Sequence, residues 1–219
     1  MTLTAPPPPS PLTCVYTGFC AGADIASLAG GVAEYQIEDQ NDMSSLILKI
    51  RSAPQIFIGV VHGGAAGAGL SLASACDIRI GVENLKANCA FTLLGLTGAE
   101  MGSSFLLPQW IGAGPAAEMM LTGRFMYAEE ALARGWVSSL YPTLDEALDA
   151  AGETAAHLLS NVGPRALRMT KDAINANVLG STSLESAIAL EDRQQVLCLH
   201  DPQCFQVGMK YAMRFMSKM

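Results

Sequence analysis

The stretch QIFIGVVHGGAAGAGLSLASAC (residues 55–76) constrains the fold more than any other part of the chain. A β-branched run (55–61) suits a buried strand. It meets HGGAAGAG (62–69), a tight glycine turn, and then a small-residue segment (70–76) that suits a helix lying close to a sheet. DIRIGVE (77–83) reads as the next strand, and strand, turn, helix and strand in that order predict an α/β fold. A glycine turn at the head of a helix gathers backbone N–H groups and the positive end of the helix dipole at one point, which suits an anion or a developing oxyanion. Two other readings of the same residues stay open. The glycines and alanines could serve close helix–sheet packing alone. GAGLSL also begins a dinucleotide fingerprint with Glu83 as ribose ligand, but Leu72 stands where its third glycine belongs.

The flanking sequence divides into three parts. Residues 1–13, with four consecutive prolines from Pro6 to Pro9, predict a disordered or extended arm. An α/β core follows over 14–155. It opens on CVYT (14–17), cut off by Gly18, and continues with a helix over DMSSLILKIRS (42–52) stopped by Pro54. Beyond DIRIGVE it holds a short apolar stretch AFTLLGL (90–96), helices around SFLLPQWIG and AAEMMLTG, a helix AEEALARG ending at Gly135, and a strand WVSSLYP (136–142). From Thr143 the periodicity is helical, with starts at Thr143, Pro164, Ser183 and Asp201-Pro202, and residues 156–219 read as a helical domain.

Composition narrows the ligand. A net charge of −7 and a pI near 4.9 argue against nucleic acid as a partner, so a phosphate-bearing ligand would be held by local amides or a few basic side chains. No apolar run approaches the roughly 20 residues of a spanning helix, and no basic stretch leads into an apolar core at the N-terminus. The expected location is cytoplasmic, or an organelle matrix, with no membrane partner. The six cysteines lack CxxC pairing and read as reduced thiols, with no metal site expected.

A second turn, FCAGAD (19–24), precedes the first by some forty residues. FCAGADI and HGGAAGAGLSLASACDIRI together resemble the enoyl-CoA hydratase/isomerase, or crotonase, superfamily. The resemblance continues through LLGLTGAEMGSSFLLPQWIG (93–112), AAEMMLTGR, AEEALARGWVSSLYP and the tail ALRMTKDAINAN with LEDRQQVLCLHD. It implies a spiral core of β-β-α turns, a C-terminal helical trimerisation domain, assembly as a trimer or hexamer, and an acyl-CoA thioester as substrate. No separate cofactor is implied, because coenzyme A is part of the substrate. The backbone amides at Ala23 and Ala68 match the family's oxyanion hole. Chemistry independently favours such a hole, since acidifying the carbon beside a thioester requires that an enolate be stabilised.

Three departures accompany the resemblance. Hydratases of the family carry two glutamates where this chain has Ser71 and Phe91, which are expected to line the substrate pocket but cannot act as a carboxylate pair. Glu100, at the expected start of a helix, resembles the position where 4-chlorobenzoyl-CoA dehalogenases of the superfamily carry an active-site aspartate. It is the candidate catalytic group, and decoration of a helix start is the bland alternative. The segment ahead of FCAGAD is short for the family, so a truncated first spiral turn or omitted residues are expected. Asp24 is expected to cap the following helix, and His62 to be a satisfied turn residue. Near the C-terminus, Phe215 and Lys218 match the family's CoA-contacting pair, with a basic amphipathic face as the alternative. The expected activity is that of an enoyl-CoA hydratase or isomerase. A family member that binds acyl-CoA without turnover is the second reading, and nucleotide binding through GAGLSL the third.

Overall fold

In a computed structural model, the described residues are 10–12, 17–24, 37–162, 164–177, 183–200 and positions 209, 212 and 213. The apolar, β-branched segments FIGVV and IRIGV build the centre, each buried at its last four residues. These segments form strands β2 (Phe57–Val61) and β4 (Ile78–Val82), paired in parallel with Ile58 opposite Ile78 and Val60 opposite Ile80. Side chains two apart share a face, so Ile58, Val60, Ile80 and Val82 form one apolar layer. Ala147 and Ala151 of helix α6 (Leu144–Asn161) pack on it. Strand β7 (Ser139–Tyr141) extends the sheet beyond β4. Thr143 caps α6 by accepting from Glu146 N at 3.3 Å, as its hydroxyl donates to Glu146 Oε1 at 3.0 Å.

The other edge is formed by a strand that the sequence does not single out. Ser10–Leu12 form strand β1, parallel to β2, so the end of the segment read as a disordered or extended arm is extended and paired. Pro11 is compatible because an edge strand can leave one side unpaired. The sheet order is β1-β2-β4-β7. A second sheet, which periodicity does not reveal, combines β3 (Gly64–Ala66), β5 (Lys86–Asn88) and β6 (Met126–Tyr127) in the order β3-β5-β6. Its strands of two or three residues are too short to show alternation, and β3 lies inside the glycine turn itself.

Helix α2 (Ala68–Ala75) follows β3, and AFTLLGL becomes a 3-10 turn over Ala90–Leu94. Helices α3 (Ser103–Ile111), α4 (Ala113–Thr122) and α5 (Ala128–Ala133) follow as expected. Helix α1 spans Ile37–Ser52 and starts five residues before the predicted Asp42. Helix α6 runs unbroken past residue 155, so the expected core boundary falls inside it. The tail continues with α7 (Pro164–Asn177) and α8 (Leu184–Leu199). The start at Asp201-Pro202, Cys14–Tyr16 and the helix expected after Asp24 lie outside the described residues.

Two contacts set the site's framework. The first is ionic: Asp77, at the end of α2, accepts from Arg51 of α1 at 3.0 Å, from Lys171 of α7 at 2.9 Å and from the Phe57 amide at 2.9 Å. Arg51 and Lys171 are 5% and 3% exposed, so these charges depend on their partner. The second is backbone against backbone. Phe19 N donates to His62 O at 2.8 Å, Cys20 N to Gly64 O at 3.0 Å and Ala66 N back to Cys20 O at 3.0 Å, joining the two turns as a parallel bridge. A Cβ on Gly69 would lie 2.0 Å from Cys20 O, so any larger residue forces the turns apart.

Each contact makes a prediction. Asp77→Ala leaves two buried cations without their carboxylate and is expected to cost about 3–5 kcal/mol in denaturant unfolding; a loss below about 1 kcal/mol would contradict the role given to it. Gly69→Ala is expected to destabilise the protein by roughly 1–3 kcal/mol. It should also remove the hydrogen-exchange protection of the Ala66 amide, and retained protection would show that the turns tolerate the methyl group.

Candidate active site

Ala68 is the first residue of α2, and the first N–H groups of a helix have no acceptor within it. The residue before it, Gly67, has φ 55° and ψ −122° and offers no side-chain cap. The Ala68 amide therefore stands at the positive end of the helix without a side-chain cap. The first turn reaches the same place. Gly22 has φ +86°, and a Cβ on it would lie 2.7 Å from Ala66 O and 3.4 Å from Ala68 N. That contact seats the residue just ahead of Ala23 against the head of α2. Phe91 closes over the turn from the other side, its Cε1 3.0 Å from where a Gly67 Cβ would be.

Ser71 lies three residues into α2, fully buried, and its hydroxyl donates to the Glu100 carbonyl at 3.0 Å. The candidate carboxylate is thus tied to the same helix that presents Ala68. Glu100 is 5% exposed and lies ahead of α3, three residues before Ser103, rather than on a solvent-facing helix start. Its amide donates to Ser103 Oγ at 2.9 Å, and its carbonyl accepts from Ser103 N at 3.0 Å. Met101 follows with φ +49° while 1% exposed, a left-handed conformation that is strained for a residue with a side chain. Gly102 continues it at φ +77°, where a Cβ would meet Leu184 of α8 at 3.2 Å.

The carboxyl of Glu100 accepts from Gln40 Nε2 at 3.0 Å. Gln40 also hydrogen-bonds Asp192 of α8, which accepts from Ser44 Oγ at 2.5 Å. Burial pushes the Asp192 carboxyl above its ordinary range, and these two bonds pull the other way. Neither Gln40 nor Asp192 is singled out by sequence reasoning. The signal that could find Gln40 is spacing: the buried positions of α1 are Gln40, Ser44, Ile47 and Arg51, a helical stripe in which three of four members are polar. A search for apolar periodicity passes over it.

Among the expected site residues, the head of α2 therefore gathers Ala68, Ser71, Phe91 and Glu100, with the Gly22–Ala23 turn beside it. Phe215 and Lys218 lie outside the described residues. His62 is buried at the end of β2, and its carbonyl joins the two turns. Cys76 is a free thiol whose pKa burial pushes to about 12, which suppresses the reactive thiolate. Among the described residues, no helix is long and apolar enough to cross a membrane. A helix-start amide beside one buried carboxylate is an arrangement that can hold negative charge on an oxygen while a proton moves nearby.

Residues 12–211 match the enoyl-CoA hydratase/isomerase family. A probable enoyl-CoA hydratase of Mycobacterium tuberculosis is 36% identical over 193 residues, covering 84% of this chain and 66% of its own length. The chain thus spans just under two thirds of that relative. A mitochondrial Delta(3,5)-Delta(2,4)-dienoyl-CoA isomerase of Pongo abelii is 33% identical over 165 residues, 70% of this chain and 50% of that protein. The crystal structure of an enoyl-CoA hydratase from Mycobacterium avium subsp. paratuberculosis superposes with a TM-score of 0.81 at 32% identity, covering 92% of this chain and 79% of that one. With the fold and the order of motifs agreeing over nearly its whole length, the chain belongs to the enoyl-CoA hydratase/isomerase family and has the crotonase-type α/β fold.

Proposed function

We propose that the chain binds an acyl-CoA thioester with its carbonyl oxygen between the amides of Ala23 and Ala68, and that Glu100 moves the proton of an enoyl-CoA double-bond isomerisation. The observation that carries this reading is the bond from Ser71 to the Glu100 carbonyl, which ties a buried carboxyl to the helix whose first amide is Ala68. In the forward direction the Glu100 carboxylate removes a proton from C2 of a 3-enoyl thioester. The electron pair delocalises onto the thioester oxygen, which the two N–H groups stabilise. The same carboxyl then returns the proton at C4, leaving a 2-enoyl thioester of unchanged composition. Losing one donor of such a pair costs about 3–4 kcal/mol of transition-state stabilisation.

One carboxylate is sufficient for this sequence, because a single proton leaves and returns. Hydration by a glutamate pair would require carboxylates where Ser71 and Phe91 stand. The Ser71 hydroxyl proton is already committed to Glu100 O, and Phe91 offers only a ring. The family relative named as a dienoyl-CoA isomerase is in keeping with double-bond migration on this scaffold. The same reading includes a homotrimer or hexamer and a CoA contact through Phe215 and Lys218. Binding without turnover remains the competing reading, favoured by the two missing glutamates.

Glu100→Gln preserves shape and removes the proton carrier, and it is expected to lower turnover of 2-enoyl- and 3-enoyl-CoA by about 10²–10⁴-fold while acyl-CoA binding persists. Unchanged turnover in steady-state assays would remove Glu100 from the mechanism. Stoichiometric binding by the wild-type protein, with no product from either substrate, would establish the non-catalytic reading instead.

A further inference from the structure

Four buried polar side chains from three separate segments meet beside the site. Gln40 and Ser44 come from α1, Asp192 from α8 and Glu100 from the loop before α3, and each is at most 5% exposed. Their surroundings are apolar: Ile47, Met101, Leu106 and Ile188 form one packed cluster at the same junction. Polar groups set in such a cluster are costly unless fully bonded, and the same volume filled with leucine would pack without that cost. Stability alone therefore gives a weak reason for them.

The bonds have a direction. Gln40 and Ser44 are four apart on α1 and so share a face. Ile188 and Asp192 are likewise four apart on α8, and the packing of Ile188 sets that helix against α1. Ser44 Oγ donates to Asp192, Asp192 also hydrogen-bonds Gln40, and Gln40 Nε2 donates to Glu100 Oε1 at 3.0 Å. An ionised carboxylate only accepts, so the nitrogen of the Gln40 amide, and not its oxygen, faces Glu100. The backbone of Glu100 is held separately by Ser71 and Ser103. Rotation of its side chain is the freedom those backbone bonds leave, and the Gln40 amide constrains it.

We propose that Gln40 and Asp192 are positioning residues of the proton-transfer site, with Asp192 on α8 orienting the Gln40 amide and that amide aiming the Glu100 carboxylate at the substrate. This rests on the assignment of Glu100 as the proton carrier. It gives the C-terminal helix a part in the chemistry, through a chain of two hydrogen bonds from Asp192 to Gln40 and on to Glu100. A carboxylate whose aim drifts by about 1 Å loses on the order of a hundredfold in rate without losing substrate affinity.

The test uses the full-length protein with a 3-enoyl-CoA, followed by formation of the 2-enoyl product. Solvent-deuterium exchange at the α-carbon of a saturated acyl-CoA is followed alongside it by NMR. Gln40→Met keeps the length of the side chain and removes its donors; Asp192→Asn keeps the shape and sets a second amide against Gln40. Each is expected to lower kcat and the exchange rate by about 10- to 100-fold with KM within about twofold of wild type. Adding Gln40→Met to Glu100→Gln is expected to cost less than about threefold more, since the two act on one step. Should Gln40→Met not fold, Asp192→Asn decides by the same criteria.

Full rates in both variants, or a raised KM with unchanged kcat, would overturn the positioning role while a slow Glu100→Gln leaves the proposed function standing. A further multiplicative loss in the double variant would assign Gln40 to structure and overturn the proposal as well. Unchanged rates in Glu100→Gln, or neither turnover nor exchange in the wild type, would end both readings together.

Discussion

At Gly69 the backbone of one turn lies against the Cys20 carbonyl of another so closely that a Cβ would stand 2.0 Å from the oxygen. Everything at the candidate site is measured from that contact. It permits the exchange of hydrogen bonds between Cys20, Gly64 and Ala66, and it carries Gly22 to the head of α2. Segments 45 positions apart in the chain thereby meet, with Gly22, the residue before Ala23, seated against Ala66 O and Ala68 N. Backbone donors suit a thioester oxygen because they are held by the fold, carry no titrating charge and need no reorganisation when negative charge develops.

The carboxylate is built by the opposite strategy. The amides depend on close backbone contact and small residues, whereas Glu100 depends on side chains from distant elements. Ser71 and Ser103 hold its backbone, Gln40 holds its carboxyl, and the left-handed turn at Met101 and Gly102 directs the chain into α3. A strained, fully buried residue beside a buried carboxyl is tolerated only where its neighbours over-determine it. Here α1, α2 and α8 all meet the segment, and Asp77 ties α1 and α7 to the sheet through Arg51 and Lys171. The candidate site is accordingly joined to the C-terminal helices through these contacts.

Much of this is legible in the linear chain. The buried strands at 57–61 and 78–82, the glycine turn, the helix that follows it and the helical tail all leave strong local signals, because β-branched apolar runs, glycine clustering and capping residues act over a few positions. The short sheet of β3, β5 and β6 leaves none. Nor does β1, where proline argues against a strand and only the open edge beside β2 admits one. Glu100 is visible as a carboxylate near a helix start, yet its burial is not, since burial depends on α1 and α8 arriving from opposite ends of the chain.

The sequence by itself therefore determined the α/β class and the two glycine turns, while the reading of Ser71 and Phe91 as places without their glutamates, and of Glu100 as the carboxylate left, came from the resemblance to the family. The first two are properties of residue type and short-range spacing. Only the tertiary structure decided that the turns touch, that Glu100 is enclosed and bonded to Ser71 and Gln40, and that Asp192 belongs to the same network. The physical reason is that hydrogen bonds between residues 29, 60 or 148 positions apart leave no periodic trace in the chain and exist only once the packed helices bring their donors and acceptors together.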